Sequence, residues 1–365
     1  MDIFVISKRQ YTNRDLLDDR YGRLFELPEA LARRGHRVRG LTTSYRRRTA
    51  RLLQTDAGVQ WSSVGPGPLT AWQWLRQIQQ LSSSRPDVIW ASSDALHCTA
   101  GQWLARHWGI PCVLDLYDNY DHFKLTDLPG LRLAYHAACR KASGLTVVSQ
   151  SLARHIRQSI APNTPVTVLY NGVATRHFHP MNQAACRQAL QLPVAARLMG
   201  TTGAIHCARG IDDLFRAFLL LAEADENLHL VIAGPQDQTP AKYNHPRIIN
   251  FGVLDWRQVP MVINALDVMV VCNRDDSFGR FCHPLKLMEA QACGTVVCAS
   301  AVGEAALLLS TTPEHLYCPG DAIELAERIK NLLDKNTGNQ KLLPTPDWDT
   351  LAGSLEQALQ QAVSR

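Results

Sequence analysis

DDSFGRFCHPLKLMEAQACGTVVCAS, residues 275–300, contains a helix start, a helix stop and the strand that follows. Pro284 suits the first helical position, where its missing N–H would have no partner in any case. Gly294 is the residue type that closes a helix in the left-handed conformation. TVVCAS (295–300) is a short β-branched run, the composition of a buried strand. A helix feeding directly into such a strand is the repeating unit of a parallel α/β sheet. Lys286 and Glu289 are three apart and share one helix face. A lysine in the first turn opposes the helix dipole, which makes sense if the helix start near Pro284 holds a phosphate together with Lys286. Glu289, one turn deeper, would then accept hydrogen bonds from a ribose diol. The same spacing also suits a solvated lysine and a surface glutamate.

Upstream, GTTGAIHCARGIDDL (200–214) reads as strand, glycine-containing loop, basic residue and helix. Gly203 permits close approach of a ligand to the backbone, and Arg209 stands before the helix as a counter-ion to a diphosphate would. The loop is not G-x-G-x-x-G, so the dinucleotide fingerprint is absent. An ordinary strand-to-helix turn with a surface arginine has the same pattern, but two such anion sites in one domain reinforce each other.

Alternating strand and helix patterns extend over the whole chain, predicting α/β architecture with parallel sheets. In the first half DIFVIS (2–7), HRVRGLT, PDVIWAS, IPCVLDL, GLTVVS and PVTVLY are strands, with helices over 21–34, 95–108 and 130–142. A turn at Asn171-Gly172 ends that series. A second series runs from ARLMGTTG (196–203) through LHLVIAG (228–234), RIINFG, DVMVVC and TVVCAS, with the break placed at Phe178–Pro193. The expected division is a first domain over 1–180, a second over 181–346 and a separate amphipathic helix within 347–365. Two α/β domains with a cleft between them suit an enzyme with two substrates.

The 365 residues are 46% hydrophobic and 19% charged, which excludes a disordered chain, a collagen-like repeat and a disulfide miniprotein. No apolar run approaches the length of a membrane span, so a soluble cytoplasmic protein is expected. None of the ten cysteines forms a C-x-x-C pair, which favours buried thiols over zinc or a disulfide frame. Residues 1–180 hold 23 Lys/Arg against 13 Asp/Glu, a balance of +10, and the remainder balances to −5. Such asymmetry calls for a partner of the basic half.

GHRV (35–38), SGLTVVSQSL, TVLYNGV, Arg209-Gly210 and HPLKLMEAQACGTVVCAS, taken in order, resemble the nucleotide-sugar glycosyltransferases of family 4 and their relatives. The resemblance implies the GT-B fold: two Rossmann-like doubly wound domains facing a cleft, with the C-terminal helix crossing back to the first domain. It implies a donor nucleotide sugar bound by the second domain, an acceptor bound by the first, no cofactor and no required metal. Glu289 matches the second Glu of the family's E-x7-E signature and would hold the ribose. Phe281 stands where the first Glu would be, and the stretch resembles the S-P-x-K variant, with His283 for Ser and Lys286 as its Lys. Arg209 matches the residue contacting the diphosphate, Gly203 the glycine beneath it, and Ser277, Phe278 and Gly279 the loop approaching the transferred sugar. The family implies retention at the anomeric carbon.

In the first half, CVLDLYDNYDHF (112–123) falls at a strand's carboxyl end, where α/β ligands bind. Tyr117-Asp118 stands in place of the family's His-Asp pair. Asp118 is therefore the candidate to act as base or to orient the acceptor, with Asp115 and Asp121 behind it; a helix cap is the other reading. Acceptor contacts are expected from Arg20 or Arg23, although salt bridges within that polar cluster are equally in keeping. Arg46, Arg47 and Arg48, with Arg33, Arg34, Arg37 and Arg39, form a basic surface suited to an anionic membrane. Trp72 and Trp74 would add interfacial contact or pack in the core. Nothing pairs basic and aromatic residues as nucleic-acid motifs do.

The combined expectation is transfer of a sugar to a hydroxyl of a glycan or lipid-linked saccharide, in cell-surface polysaccharide or lipopolysaccharide synthesis. The alternatives are a sugar-nucleotide epimerase of the same fold and a non-catalytic nucleotide- or glycan-binding subunit.

Overall fold

The computed structural model describes residues 1–11, 14–46, 51–67, 70–81, 84–335 and 343–365. These fall into two compact units, residues 1–172 with 346–365 and residues 173–345. The first unit runs β1 (Asp2–Lys8), a small ribbon of β2 (Gln10–Tyr11) and β3 (Arg14–Asp15), α1 (Arg23–Arg33), β4 (Arg37–Thr43), β5 (Arg51–Gln54), β6 (Gln60–Val64) and α2 (Thr70–Leu81). It continues through β7 (Val88–Ser92), α3 (Ala95–Trp108), β8 (Cys112–Leu116), α4 (Leu131–Lys141), β9 (Gly144–Val147), α5 (Gln150–His155) and β10 (Val166–Val168). Its main sheet has the order β10-β9-β8-β7-β1-β4-β6-β5, parallel except for the β5–β6 pair. Continuous apolar runs explain the central strands: Ile3, Phe4, Val5 and Ile6 are all buried, as strands covered on both faces must be. The 95–108 helix forms as its punctuation predicts, with Asp94 capping the N–H of His97 and Gly109 closing it at φ 66°.

The second unit runs α6 (Gln183–Ala189), β11 (Arg197–Thr202), α7 (Asp212–Ala222), β12 (Leu228–Ala233), β13 (Ile248–Asn250), α8 (Val259–Ala265) and β14 (Val268–Val271). It ends with α9 (Ser277–Phe281), α10 (Leu285–Cys293), β15 (Val296–Ser300), α11 (Gly303–Leu308), β16 (Leu316–Tyr317) and α12 (Ala322–Asp334). The sheet order is β13-β12-β11-β14-β15-β16, and every pairing in it is parallel. In each unit the chain fills one side of the first strand and then crosses to the other. The switch points lie between β1 and β7 and between β11 and β14, and open α/β sheets take ligands outside the carboxyl ends at such points.

The division at Gly172/Val173 comes earlier than the 180 boundary read from the sequence. Val173 and Phe178 already belong to the second core, and α6 occupies the stretch read as a break. The last helix, α13 (Trp348–Val363), belongs to the first unit. Leu351, Leu355 and Leu359 are buried in the core that holds α1 and β1. Its charges neutralise much of the expected basic surface: Arg33 pairs with Asp349 at 3.0 Å and Arg34 with Glu356 at 2.6 Å. Arg39, nearly buried, pairs with Asp2 at 2.8 Å, and Arg37 reaches the same carboxylate at 3.6 Å. Regrouped by unit, the first carries 23 Lys/Arg against 16 Asp/Glu and the second 15 against 17. The asymmetry falls to +7 and −2.

Eight of the ten cysteines are buried, Cys318 is exposed, and no disulfide joins any described pair. Among the described residues no helix is long and apolar enough to cross a membrane. Trp72 is exposed, whereas Trp74 donates its indole N–H to Thr43 at 2.8 Å.

Candidate functional site

In the second unit the switch point brings the two sequence motifs together. Gly203 directly follows β11 with φ +82°, and the stem of Lys286 lies directly on it. A Cβ on Gly203 would stand 2.7 Å from Lys286 Cε. Glycine is required here both by the left-handed backbone and by this approach. Lys286 Nζ donates a single long hydrogen bond to the Ala204 carbonyl, 3.4 Å away, and burial lowers its pKa from 10.5 to about 8. Arg209, nearby, lowers it further, while Glu289 acts in the opposite sense.

Arg209 ends a tight turn before α7, and its guanidinium lies over the Phe278 ring, 3.2 Å from the centroid. The stacking holds a cation in place and gives Phe278 a positioning role. The backbone here differs from the loop expected over Ser277–Gly279. These residues begin the short helix α9, whose second and third N–H groups, those of Phe278 and Gly279, are taken by the Asp276 carboxylate at 3.0 and 2.9 Å. Gly279 is buried, and a Cβ there would lie 2.0 Å from the Arg274 carbonyl, so that glycine serves packing. Pro284 sits one residue before its expected place, as the N-cap of α10. Its carbonyl accepts from the N–H groups of Leu287 and Met288. Gly294 closes the helix at φ 76° as predicted. A cavity of about 790 Å³ borders the Arg209 turn, lined by Cys207, Asp212, Asp213 and Arg274 among others. Lys286 and Glu289 are not part of its lining, so the cationic cradle is a surface of backbone and lysine beside it.

The structure corrects one acceptor expectation outright. Arg23 is fully buried and cannot contact an acceptor. Its guanidinium donates to Asp115 at 2.6 Å and to the carbonyls of Leu169 and Tyr170 at 2.7 and 2.9 Å. Asp115, also fully buried, accepts in addition from Ser92 and Thr146, both at 2.7 Å. The pair is a central tie of the first sheet, and Asp115 is thereby removed as a reacting group. Asp121 is ion-paired with His136 at 2.8 Å. Arg20 stays at the surface, 4.0 Å from Asp56. Arg46 is exposed, and Arg47 and Arg48 lie outside the described residues.

Asp118 stands just past β8, partly buried, with Oδ1 accepting from the Asn119 N–H at 2.8 Å. Around it are residues that sequence reading missed. Lys8 ends β1, Ser93 and Asp94 follow β7, and Tyr45 follows β4. Asp94 accepts from Tyr45 Oη at 2.8 Å and pairs with His97 Nδ1 at 2.8 Å; these contacts outweigh burial and hold its carboxyl well below the ordinary range. The positions of Lys8 and Asp94 at the carboxyl ends of strands were legible, but not that β1 and β7 are neighbours. Among the described residues, no three of His, Cys, Asp and Glu are grouped so as to hold a metal ion.

Comparisons with known proteins agree with this fold. Residues 23–172 match the model of the glycosyl transferase 4-like domain and residues 196–335 that of the glycosyl transferases group 1. The chain is 34% identical over 307 residues to D-inositol 3-phosphate glycosyltransferase of Mycolicibacterium gilvum, covering 75% of this chain and 67% of that protein. N-acetyl-alpha-D-glucosaminyl L-malate synthase of Bacillus anthracis is 21% identical, with 84% and 82% covered. Among solved structures, sucrose-phosphate synthase from Thermosynechococcus elongatus superposes with a TM-score of 0.75 at 20% identity, covering 99% and 94%. Anabaena HepE in complex with UDP-glucose superposes with a TM-score of 0.68 at 18% identity, covering 99% and 98%. Two parallel-sheet Rossmann-like units, both family matches and the 34% identical relative lead to one conclusion: the chain belongs to the family 4-like glycosyltransferases and is an enzyme of GT-B fold.

Proposed function

We propose that the enzyme moves a sugar from a nucleoside diphosphate sugar, bound by the second unit, to a hydroxyl of a glycan or lipid-linked saccharide bound by the first. The observation that carries this is Lys286 lying on Gly203 at the β11–β14 switch point, with Arg209 held on Phe278 beside it. Two cations, one of them seated on a glycine backbone, match a diphosphate, whose charge grows as the glycosidic bond breaks. Glu289, one turn below Lys286, takes the ribose hydroxyls. Charge stabilisation then comes from side chains, and no divalent cation is called for. The family resemblance supports retention at the anomeric carbon, and the HepE complex with UDP-glucose supports a UDP-sugar as the first donor to try.

The test is a thermal-shift panel of UDP-, GDP-, ADP- and TDP-sugars, run with and without EDTA. One nucleotide class should raise the unfolding midpoint in both series, and Arg209→Ala should abolish the shift. No shift with any of the four, or a shift lost in EDTA, contradicts the donor assignment.

A role in cell-surface polysaccharide or lipopolysaccharide synthesis, on the cytoplasmic face of a membrane, belongs to the same proposal. With Arg33, Arg34 and Arg39 tied in ion pairs, the membrane contact narrows to Arg46, Arg47 and Arg48. Pelleting with anionic liposomes should fall as salt rises and should be lost in the triple Arg46→Ser, Arg47→Ser, Arg48→Ser variant, each basic residue near the surface being worth about 1 kcal/mol. Pelleting unaffected by salt or by the triple substitution would rule the contact out.

A further inference from the structure

The carboxyl edge of the first sheet carries an ammonium with no hydrogen-bonding partner among the described residues. Lys8 closes β1 at the switch point. Its backbone N–H donates to Ser93 Oγ at 2.7 Å, and its side chain runs to the rings of Tyr117 and Phe123, with Nζ 5.7 and 5.4 Å from their centroids. Among the described residues Nζ makes neither a hydrogen bond nor an ion pair. Burial lowers its pKa below 10.5, and the two carboxylates that act against this are Asp94 and Asp118. Three N–H donors drawn out of water with no acceptor are costly, and such a group in a native protein calls for an explanation.

The surroundings are built rather than loose. Ser93, fully buried, holds φ +99°, a conformation that non-glycine residues adopt only where their neighbours enforce it. Tyr120 Oη accepts from its N–H and Tyr117 Oη donates to its carbonyl, both at 3.1 Å. Tyr45 is pinned through its hydroxyl to Asp94, and the residue as a whole is 46% exposed, leaving an aromatic side chain whose position is set in advance.

The charges decide the class of ligand. An anionic group placed on Nζ would also face Asp94 and Asp118. A pair of hydroxyls satisfies both signs, because an oxygen accepts from the ammonium while a hydroxyl hydrogen goes to the carboxylate. We propose that Lys8 and Asp118 bind neighbouring hydroxyls of an uncharged sugar ring whose apolar face lies on Tyr45, making this the acceptor subsite and excluding acceptors phosphorylated at those positions. The proposal rests on the reading of the first unit as the acceptor-binding one.

Saturation-transfer NMR in the presence of UDP tests it. The probes are the methyl α-glycosides of glucose, mannose and galactose, each set against the corresponding 6-phosphate. Wild-type protein should saturate at least one uncharged glycoside more strongly than its phosphate. Lys8→Met and the better-matched Lys8→Gln should each weaken that binding about tenfold, the order expected for losing a charged hydrogen bond. UDP signals should stay as in wild type, and neither variant should melt below it, since burial already opposes the Lys8 charge. The proposal is overturned if the phosphates saturate more strongly, if both Lys8 variants bind as wild type, or if no uncharged glycoside is saturated. UDP signals missing from wild type while glycosides are saturated would instead overturn the donor site and leave this one standing.

Discussion

Lys286→Met is expected to lower turnover by about 10²–10³-fold, the usual cost of removing one preorganised charge stabiliser, and at the same time to raise the unfolding midpoint. The two effects share a cause. Burial holds the Lys286 pKa at about 8 instead of 10.5, so folding disfavours the very charge the diphosphate needs. Between those two values the unfolded chain binds a proton that the folded chain does not. Stability therefore rises with pH through that window, and below it the penalty is present in full. Methionine keeps the stem that covers Gly203 and removes the penalty at every pH.

Activity should run the other way. With free enzyme and donor, kcat/KM should fall as pH rises through about 8, because the ammonium is lost. Donor hydrolysis across pH, set beside thermal unfolding of wild type and Lys286→Met, provides the check. A variant that turns over normally, or that melts below wild type at neutral pH, contradicts the assignment.

Arg23→Met is expected to have the largest effect on stability, destabilising the first unit by about 3–5 kcal/mol, as does stranding one half of a buried ion pair. Both side chains are fully buried. Without Arg23, Asp115 would keep only the Ser92 and Thr146 hydroxyls, and two backbone carbonyls would lose their donor. The double variant Arg23→Met/Asp115→Leu should recover much of the loss, because no buried charge remains. Urea unfolding of the three variants measures this, with nucleotide binding by the second unit as an internal control. An Arg23→Met midpoint equal to that of wild type would show that the pair is not the tie described above.

The same residue illustrates what the sequence left open. Arg23 sits in a polar cluster, DDRYGR (18–23), and reads as a surface cation. The carboxylate that buries it lies 92 residues away on β8, and only the packing of α1 against the sheet brings the two together. Lys286, by contrast, was legible as a phosphate candidate from its place in the first turn of a helix. Its contact with Gly203 was not, because β11 and α10 meet across most of the unit: Lys286 and its acceptor Ala204 are 82 residues apart. Lys8 was legible only as a residue at the end of a strand, and such an end becomes a site only once its neighbour in the sheet is known.

What the sequence determined by itself was the alternation of strands and helices over most of the chain, the ends of α3 and α13, the stop of α10 at Gly294, and the family. All of these rest on short-range physics: hydrophobic period, caps, left-handed glycines, and motifs read within one turn or one strand. The tertiary structure decided which charges face solvent. The basic first half reads as +10 along the chain, yet α13 returns to that unit with carboxylates for Arg33 and Arg34. Arg23 and Arg39 disappear into pairs of their own. A charge is defined locally, but its partner is chosen by burial between segments far apart in sequence, and no local pattern encodes that choice.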